Sequence, residues 1–110
     1  MYEYAVKKIV KVVDGDTIAI LIDLGFDLTK KERVRLAGID TPESRTRNIE
    51  EKAMGLEAKE FLTRRLSDGM VSGLRVKTEK DGKYGRMLGW LFCGDININT
   101  EMIYRGYAWE

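Results

Sequence analysis

Three short clusters hold most of the residues in this chain that are equipped for chemistry. They are Asp14-Gly15-Asp16-Thr17, a block from Arg35 to Asp40-Thr41-Pro42-Glu43, and Lys83-Tyr84-Gly85-Arg86. Each has an ordinary reading on its own. Asp-Gly is a strong hairpin signal, Asp-Thr-Pro-Glu suits a strand exit followed by a capped turn, and Lys-Tyr-Gly-Arg suits a solvated hairpin. Taken together they say more. Asp16 begins one predicted strand and Asp40 ends the next, so a hairpin would bring the two carboxylates together. Such a pair repels unless a cation lies between them. Glu43 follows within reach of a water beside the same ion, and Arg35 and Arg86 project from neighbouring strands. Two guanidiniums facing a carboxylate-held cation make a clamp for a phosphodiester.

Composition narrows the choice of cation. The chain contains no histidine and one cysteine, Cys93. The commonest general base and transition-metal ligand are therefore absent, and an internal disulfide or zinc cluster is excluded. Oxygen ligands favour calcium or magnesium. The 110 residues are 44% hydrophobic and 34% charged, as in ordinary globular domains. The formal net charge is only +1, unlike the strongly basic balance common among nucleic-acid binders. A nucleic-acid function must therefore rest on where the charges sit. No apolar run is long enough to span a bilayer, and the opening residues do not form a signal peptide. Location stays open: cytoplasmic, phage or mobile-element borne, or secreted if a leader has been removed.

The elements that would position these residues follow from periodicity. Val6 to Val13 and Thr17 to Leu24 read as strands, with Ile18, Ile20, Ile22 and Leu24 alternating onto one face. Gly25 to Glu32 reads as a long polar hairpin tip, Arg33 to Ile39 as the third strand, and Asp40 to about Ala53 as a charged loop. Ala58, Phe61, Leu62 and Leu66 recur at helical spacing, with an end expected at Ser67-Asp68-Gly69. Leu74 to Glu79 and Met87 to Cys93 read as two further strands. Asn97 or Asn99 would cap a short second helix closed by Gly106. Three strands, a helix, two strands and a helix predict an α+β fold, a five-stranded OB-type barrel with two helices, in a single domain over residues 1–110. Trp90 and Phe92 would form barrel wall, and Cys93 would be a small apolar residue.

The sequence resembles the staphylococcal nuclease (thermonuclease) family. The likeness lies in Val-Asp-Gly-Asp-Thr at Val13 to Thr17, Arg-Leu-Ala-Gly-Ile-Asp-Thr-Pro-Glu at Arg35 to Glu43, and Asp-Gly-Lys-Tyr-Gly-Arg at Asp81 to Arg86. It implies a Ca²⁺-dependent nuclease acting on DNA or RNA, expected to be monomeric. Asp16 and Asp40 would hold Ca²⁺ through their side chains and Thr41 through its backbone carbonyl. Glu43 would position or activate water, and Arg35 and Arg86 would stabilise the transition state. Asp14 would orient the metal site, and Lys83 and Tyr84 would contact the substrate. Family members usually continue into a further C-terminal helix, so the resemblance implies either a short form of the family or a chain trimmed at its C-terminus. The rival reading is a nuclease-like OB module that has lost catalysis and only binds nucleic acid or protein.

Overall fold

The computed structural model describes residues 2–79 and 87–110. Three antiparallel strands open the chain: β1 (Tyr2–Asp14), β2 (Thr17–Gly25) and β3 (Leu28–Leu36). Ile18, Ile20 and Ile22 point inward from β2, opposite Val12, Ile9 and Val6 of β1, but Leu24, expected on the same face, is exposed beside the hairpin turn. Alternating Val34 and Leu36 of β3 join the same interior. The β1–β2 pairing carries three register shifts, each of which adds a residue to β1. Such bulges raise the local twist and help a sheet curl.

The β2–β3 hairpin differs from the long polar tip expected from the sequence. Gly25 pairs with Leu28, leaving Phe26 and Asp27 as a two-residue turn, both at positive φ (54° and 62°). Mirror-image turns of this kind match the twist of a hairpin. The strand then runs through Thr29 to Glu32. Thr29 and Lys31 lie on the exposed outer face, whereas Glu32 turns inward at 8% exposure with Lys30 Nζ on its carboxylate, and sequence polarity alone does not separate such a strand from a loop.

Helix α1 (Ile49–Ser72) follows a loop. Asn48 caps it by accepting the Glu51 N–H at 3.0 Å, and Gly73 at φ 95° ends it. The helix therefore passes the expected stop at Gly69. That glycine is buried where a Cβ would lie 3.2 Å from Leu74 Cδ1. Gly55, Ala58, Leu62, Leu66 and Gly69 form the buried stripe, at steps of three and four residues.

Strands β4 (Leu74–Thr78) and β5 (Met87–Cys93) complete the sheet. The order β3-β2-β1-β4-β5 closes through a parallel contact in which Val34, Arg35 and Leu36 meet Met87, Leu88 and Gly89. The result is a five-stranded OB-type barrel with two helices, as expected. A short β6 (Ile96–Asn97) adds to β5 and leads into α2 (Ile98–Tyr104), capped by Asn97 rather than Asn99. Trp90 and Phe92 are half-buried on the wall, and Lys77 Nζ lies 4.7 Å above the Phe92 ring. Cys93 is free and half-buried. No helix among the described residues is long and apolar enough to cross a membrane.

Asn99 is 2% exposed and joins three parts of the barrel. Its Oδ1 accepts the Leu91 N–H (3.1 Å), and its amide nitrogen donates to Ala37 (2.9 Å) and Gly89 (3.0 Å) carbonyls. Asn99→Leu would leave the Leu91 N–H and the Ala37 carbonyl without these partners, at about 1–3 kcal/mol for each buried group. We expect a loss of about 3 kcal/mol in urea unfolding, with an unchanged m-value. A loss below about 0.5 kcal/mol would mean that other groups or water replace the amide.

Candidate active site

The site forms where the β1–β2 turn meets the exit of β3. Asp14 pairs with Thr17, so Gly15 and Asp16 make the turn, and the Leu36 N–H donates to the Asp16 carbonyl at 2.8 Å. Gly15 permits a close approach: a Cβ there would fall 2.8 Å from Ala58 Cβ and 3.1 Å from Thr41 Cγ2. The turn is thus wedged between α1 and the loop after β3. Asp16 Oδ1 accepts from the Thr17 hydroxyl (3.0 Å), and Oδ2 from the Thr41 N–H (3.2 Å).

Arg35 lies opposite Thr17 on β3 and connects the two carboxylates. Its Nη1 donates to the carbonyls of Leu36 and Ile39, both at 2.8 Å. Its Nη2 reaches Asp40 Oδ1 at 2.5 Å and Asp16 Oδ2 at 3.4 Å. One nitrogen therefore serves as counter-ion to both carboxylates that the sequence paired. Gly38 at φ 77° lets the chain turn between β3 and Asp40. Asp40 is then held through its backbone: its N–H donates to the Trp109 carbonyl (2.8 Å), and its carbonyl accepts the Trp109 N–H (2.9 Å). This two-way bridge ties the C-terminal segment to the site.

Glu43 is exposed, and its N–H lies 3.5 Å from Glu51 Oε1 near the start of α1. Asp14 acts one residue further on. It accepts from the Ser44 hydroxyl and from the Ser44 N–H at 3.4 Å, and Arg45 Nη2 is 4.0 Å away. Asp14 therefore orders the chain beside Glu43 rather than touching Asp16 or Asp40. Ser44 is 3% exposed, so the Ser44 to Arg47 segment starts from a fixed point. On the other side is Gly55 of α1, where a Cβ would sit 2.5 Å from both the carbonyl carbon and oxygen of Glu43. Sequence reasoning missed Ser44, Gly55 and the Trp109 bridge. Only Gly55 left a signal, as a glycine inside a helical pattern.

The structure thus gathers Asp14, Asp16, Arg35, Asp40, Thr41 and Glu43 at one end of the barrel. Lys83, Tyr84 and Arg86 lie outside the described residues. The donors are suited to a hard cation. Asp16 and Asp40 offer carboxylate oxygens that already share a positive partner, and the Thr41 backbone adjoins them, its N–H donating to Asp16 Oδ2. The Thr41 hydroxyl is buried without a partner among the described residues. No group of three or more His, Cys, Asp or Glu side chains that could hold a metal occurs among the described residues. A cation here would depend on two carboxylates, a carbonyl and water.

A closed OB-type barrel brings two carboxylates and an arginine together where the β1–β2 turn meets the exit of β3. The chain belongs to the family described as staphylococcal nuclease homologue, whose model matches residues 33–110. It is 39% identical to a thermonuclease of Staphylococcus intermedius over 105 residues, covering 96% of this chain and 57% of that protein. It is 35% identical to a thermonuclease of Staphylococcus hyicus over 101 residues, covering 92% and 56% respectively. An uncharacterized protein of Bacillus anthracis is 38% identical over 101 residues, covering 92% and 45%. The chain spans about half the length of these relatives.

Proposed function

We propose that this chain is a nuclease that hydrolyses phosphodiester bonds in DNA or RNA with the help of Ca²⁺. The observation that carries the reading is the guanidinium of Arg35 shared by Asp16 and Asp40, with Glu43 exposed three residues beyond Asp40. The thermonuclease names of the two staphylococcal relatives support it.

A phosphodiester is already anionic, so an incoming water or hydroxide is repelled unless positive charge shields it. Ca²⁺, held by Asp16, Asp40 and the Thr41 carbonyl, would supply that shield and polarise a phosphoryl oxygen. Arg35 has an anchored half and an exchangeable half. Nη1 is committed to two backbone carbonyls, while Nη2 is held, among the described residues, only by carboxylates and can turn to a phosphoryl oxygen. Arg86 takes the second arginine role on the strength of the resemblance, and Lys83 and Tyr84 contact the substrate. Glu43 orients the attacking water and accepts its proton as the new P–O bond forms, while the ester P–O bond opposite breaks and its oxygen leaves, taking a proton from solvent.

Digestion of plasmid, single-stranded DNA and RNA tests this directly. We expect cleavage with Ca²⁺ and its loss on chelation. Glu43→Gln should retain the fold by circular dichroism and lose nearly all activity. Folded protein that binds nucleic acid yet shows no Ca²⁺-dependent cleavage would leave a binding module instead. Equal rates in wild type and Glu43→Gln would expose a contaminating nuclease.

A further inference from the structure

We infer that the outer face of the β1–β2–β3 sheet is a phosphate track that carries the nucleic-acid strand away from Arg35. This rests on the proposed nuclease reading and adds to it a substrate-binding surface outside the catalytic cluster.

The argument comes from strand register. Between Leu28 and Leu36, the inward residues Glu32, Val34 and Leu36 are buried. Lys31, Arg33 and Arg35 alternate with them on the outer face. Through β2, each faces a partner on β1. Arg33 pairs with Ala19, which pairs with Lys11; Lys31 pairs with Leu21, which pairs with Lys8. Arg35 pairs with Thr17, which pairs with Asp14, and this third row is the candidate active site. Two rows of paired cations therefore lead out of the site along the sheet.

Lys8, Lys11, Lys31 and Arg33 are all exposed, and none forms an ion pair with a described residue. Their rows contain no carboxylate. The floor between the cations is Ala19 and Leu21, both half-buried. The next row outward, Ala5–Asp23–Thr29, brings an acid and ends the track. Outer-face residues two apart on an antiparallel strand are spaced by about 6.8 Å, and β1 and β3 lie about 9.5 Å apart across β2. This step is comparable to the separation of successive phosphates along an extended strand. Lys31 and Arg33 thus offer about one cation per phosphate, with Lys8 and Lys11 along the opposite side.

The near-neutral balance of the whole chain gives this patch its meaning. With a net charge of +1, nonspecific attraction of a polyanion is weak, so phosphate neutralisation depends on local concentrations of cation. Contacts of this type position a strand without reading its bases, as a nuclease of broad specificity needs.

The test compares Lys31→Gln/Arg33→Gln with a control of equal charge change, Lys52→Gln/Arg64→Gln, on the exposed side of α1. Binding of a labelled oligothymidylate about a dozen residues long is followed by anisotropy in chelator. Cleavage is followed on that strand and on a p-nitrophenyl phosphodiester of thymidine, too short to reach beyond Arg35. The track variant should bind about tenfold more weakly, and its slope of log K against log salt should be shallower by about 1.4. The control should stay near wild type, and all three proteins should hydrolyse the short ester alike with Ca²⁺. Equal weakening in track variant and control, or no binding by wild type, overturns the track. Selective weakening in a wild type that cleaves neither substrate keeps the track and removes the nuclease reading. Cleavage by wild type with unaltered binding in the track variant does the reverse.

Discussion

Arg35→Lys should lower kcat by about 10²–10³-fold at saturating Ca²⁺, equivalent to about 2.7–4 kcal/mol of transition-state stabilisation. The charge is retained, so the loss reports geometry. In the structure Arg35 uses both ends of its planar fork: Nη1 serves two carbonyls and Nη2 two carboxylates. A lysine ammonium has three donors around one atom and cannot hold the β3 exit and face a phosphate together. The plainer account makes Arg35 an ion-pair partner that only assembles the loop. The two accounts separate when kcat and Ca²⁺ affinity are measured independently. An assembling residue would act through a weaker metal site, and added Ca²⁺ would restore the rate. A phosphate-binding residue would leave a deficit that no Ca²⁺ concentration removes. Arg35→Ala extends the test, since Asp16 and Asp40 would then lose their shared counter-ion. Two uncompensated carboxylates should bind a divalent cation at least as tightly as before, even as turnover collapses. Weaker Ca²⁺ binding in the alanine variant would mean that the guanidinium holds the loop in shape rather than competing with the metal.

How much of this could be read from the chain depends on the range of the interaction concerned. Strand positions followed from Ile18, Ile20 and Ile22, because a period of two survives in any context. The helix core followed from Ala58, Leu62 and Leu66, whose spacing by four marks one face of a helix. Errors arose where one local signal had two meanings. Lys30 and Lys31 looked like loop, but the structure puts them in β3, with Lys31 on its outer face. Gly69 looked like a helix end but sits inside α1, because Gly73 supplies the left-handed cap. At the site, the meeting of Asp16 and Asp40 was legible because a hairpin brings the start of one strand beside the end of the next, with Arg35 on the strand between them. The Asp40–Trp109 bridge was not, since it uses only main-chain atoms and any residue can make it. The cation rows of β1 and β3 were equally hidden. Bulges in β1 break simple alternation, so only the observed register aligns Lys8 and Lys11 with Lys31 and Arg33.

Gly55→Ala should cost both stability and turnover, although alanine favours a helix over glycine by about 1 kcal/mol. The added methyl would meet main-chain atoms: the Glu43 carbonyl group at 2.5 Å and the Ser44 nitrogen at 2.7 Å. Backbone cannot rotate aside as a side chain can, so either α1 or the Glu43 segment must shift. Overpacking of this kind costs about 1–3 kcal/mol. The segment is also tied on its far side, because Asp14 holds Ser44. Glu43 would therefore move relative to the phosphate, and displacement by about 1 Å can reduce a rate about 10²-fold. The three atoms nearest the added methyl belong to Glu43 and Ser44, so Ca²⁺ affinity should hold while kcat falls. The decisive variant combines Gly55→Ala with Glu43→Gln. If Gly55 acts by placing Glu43, the double variant is no slower than Glu43→Gln alone, because the carboxylate being displaced is already gone. Additive losses would mean that the helix shift harms the barrel generally. A fall in stability with unchanged kcat would reduce Gly55 to a packing residue and leave Glu43 positioned by Asp14 and Ser44.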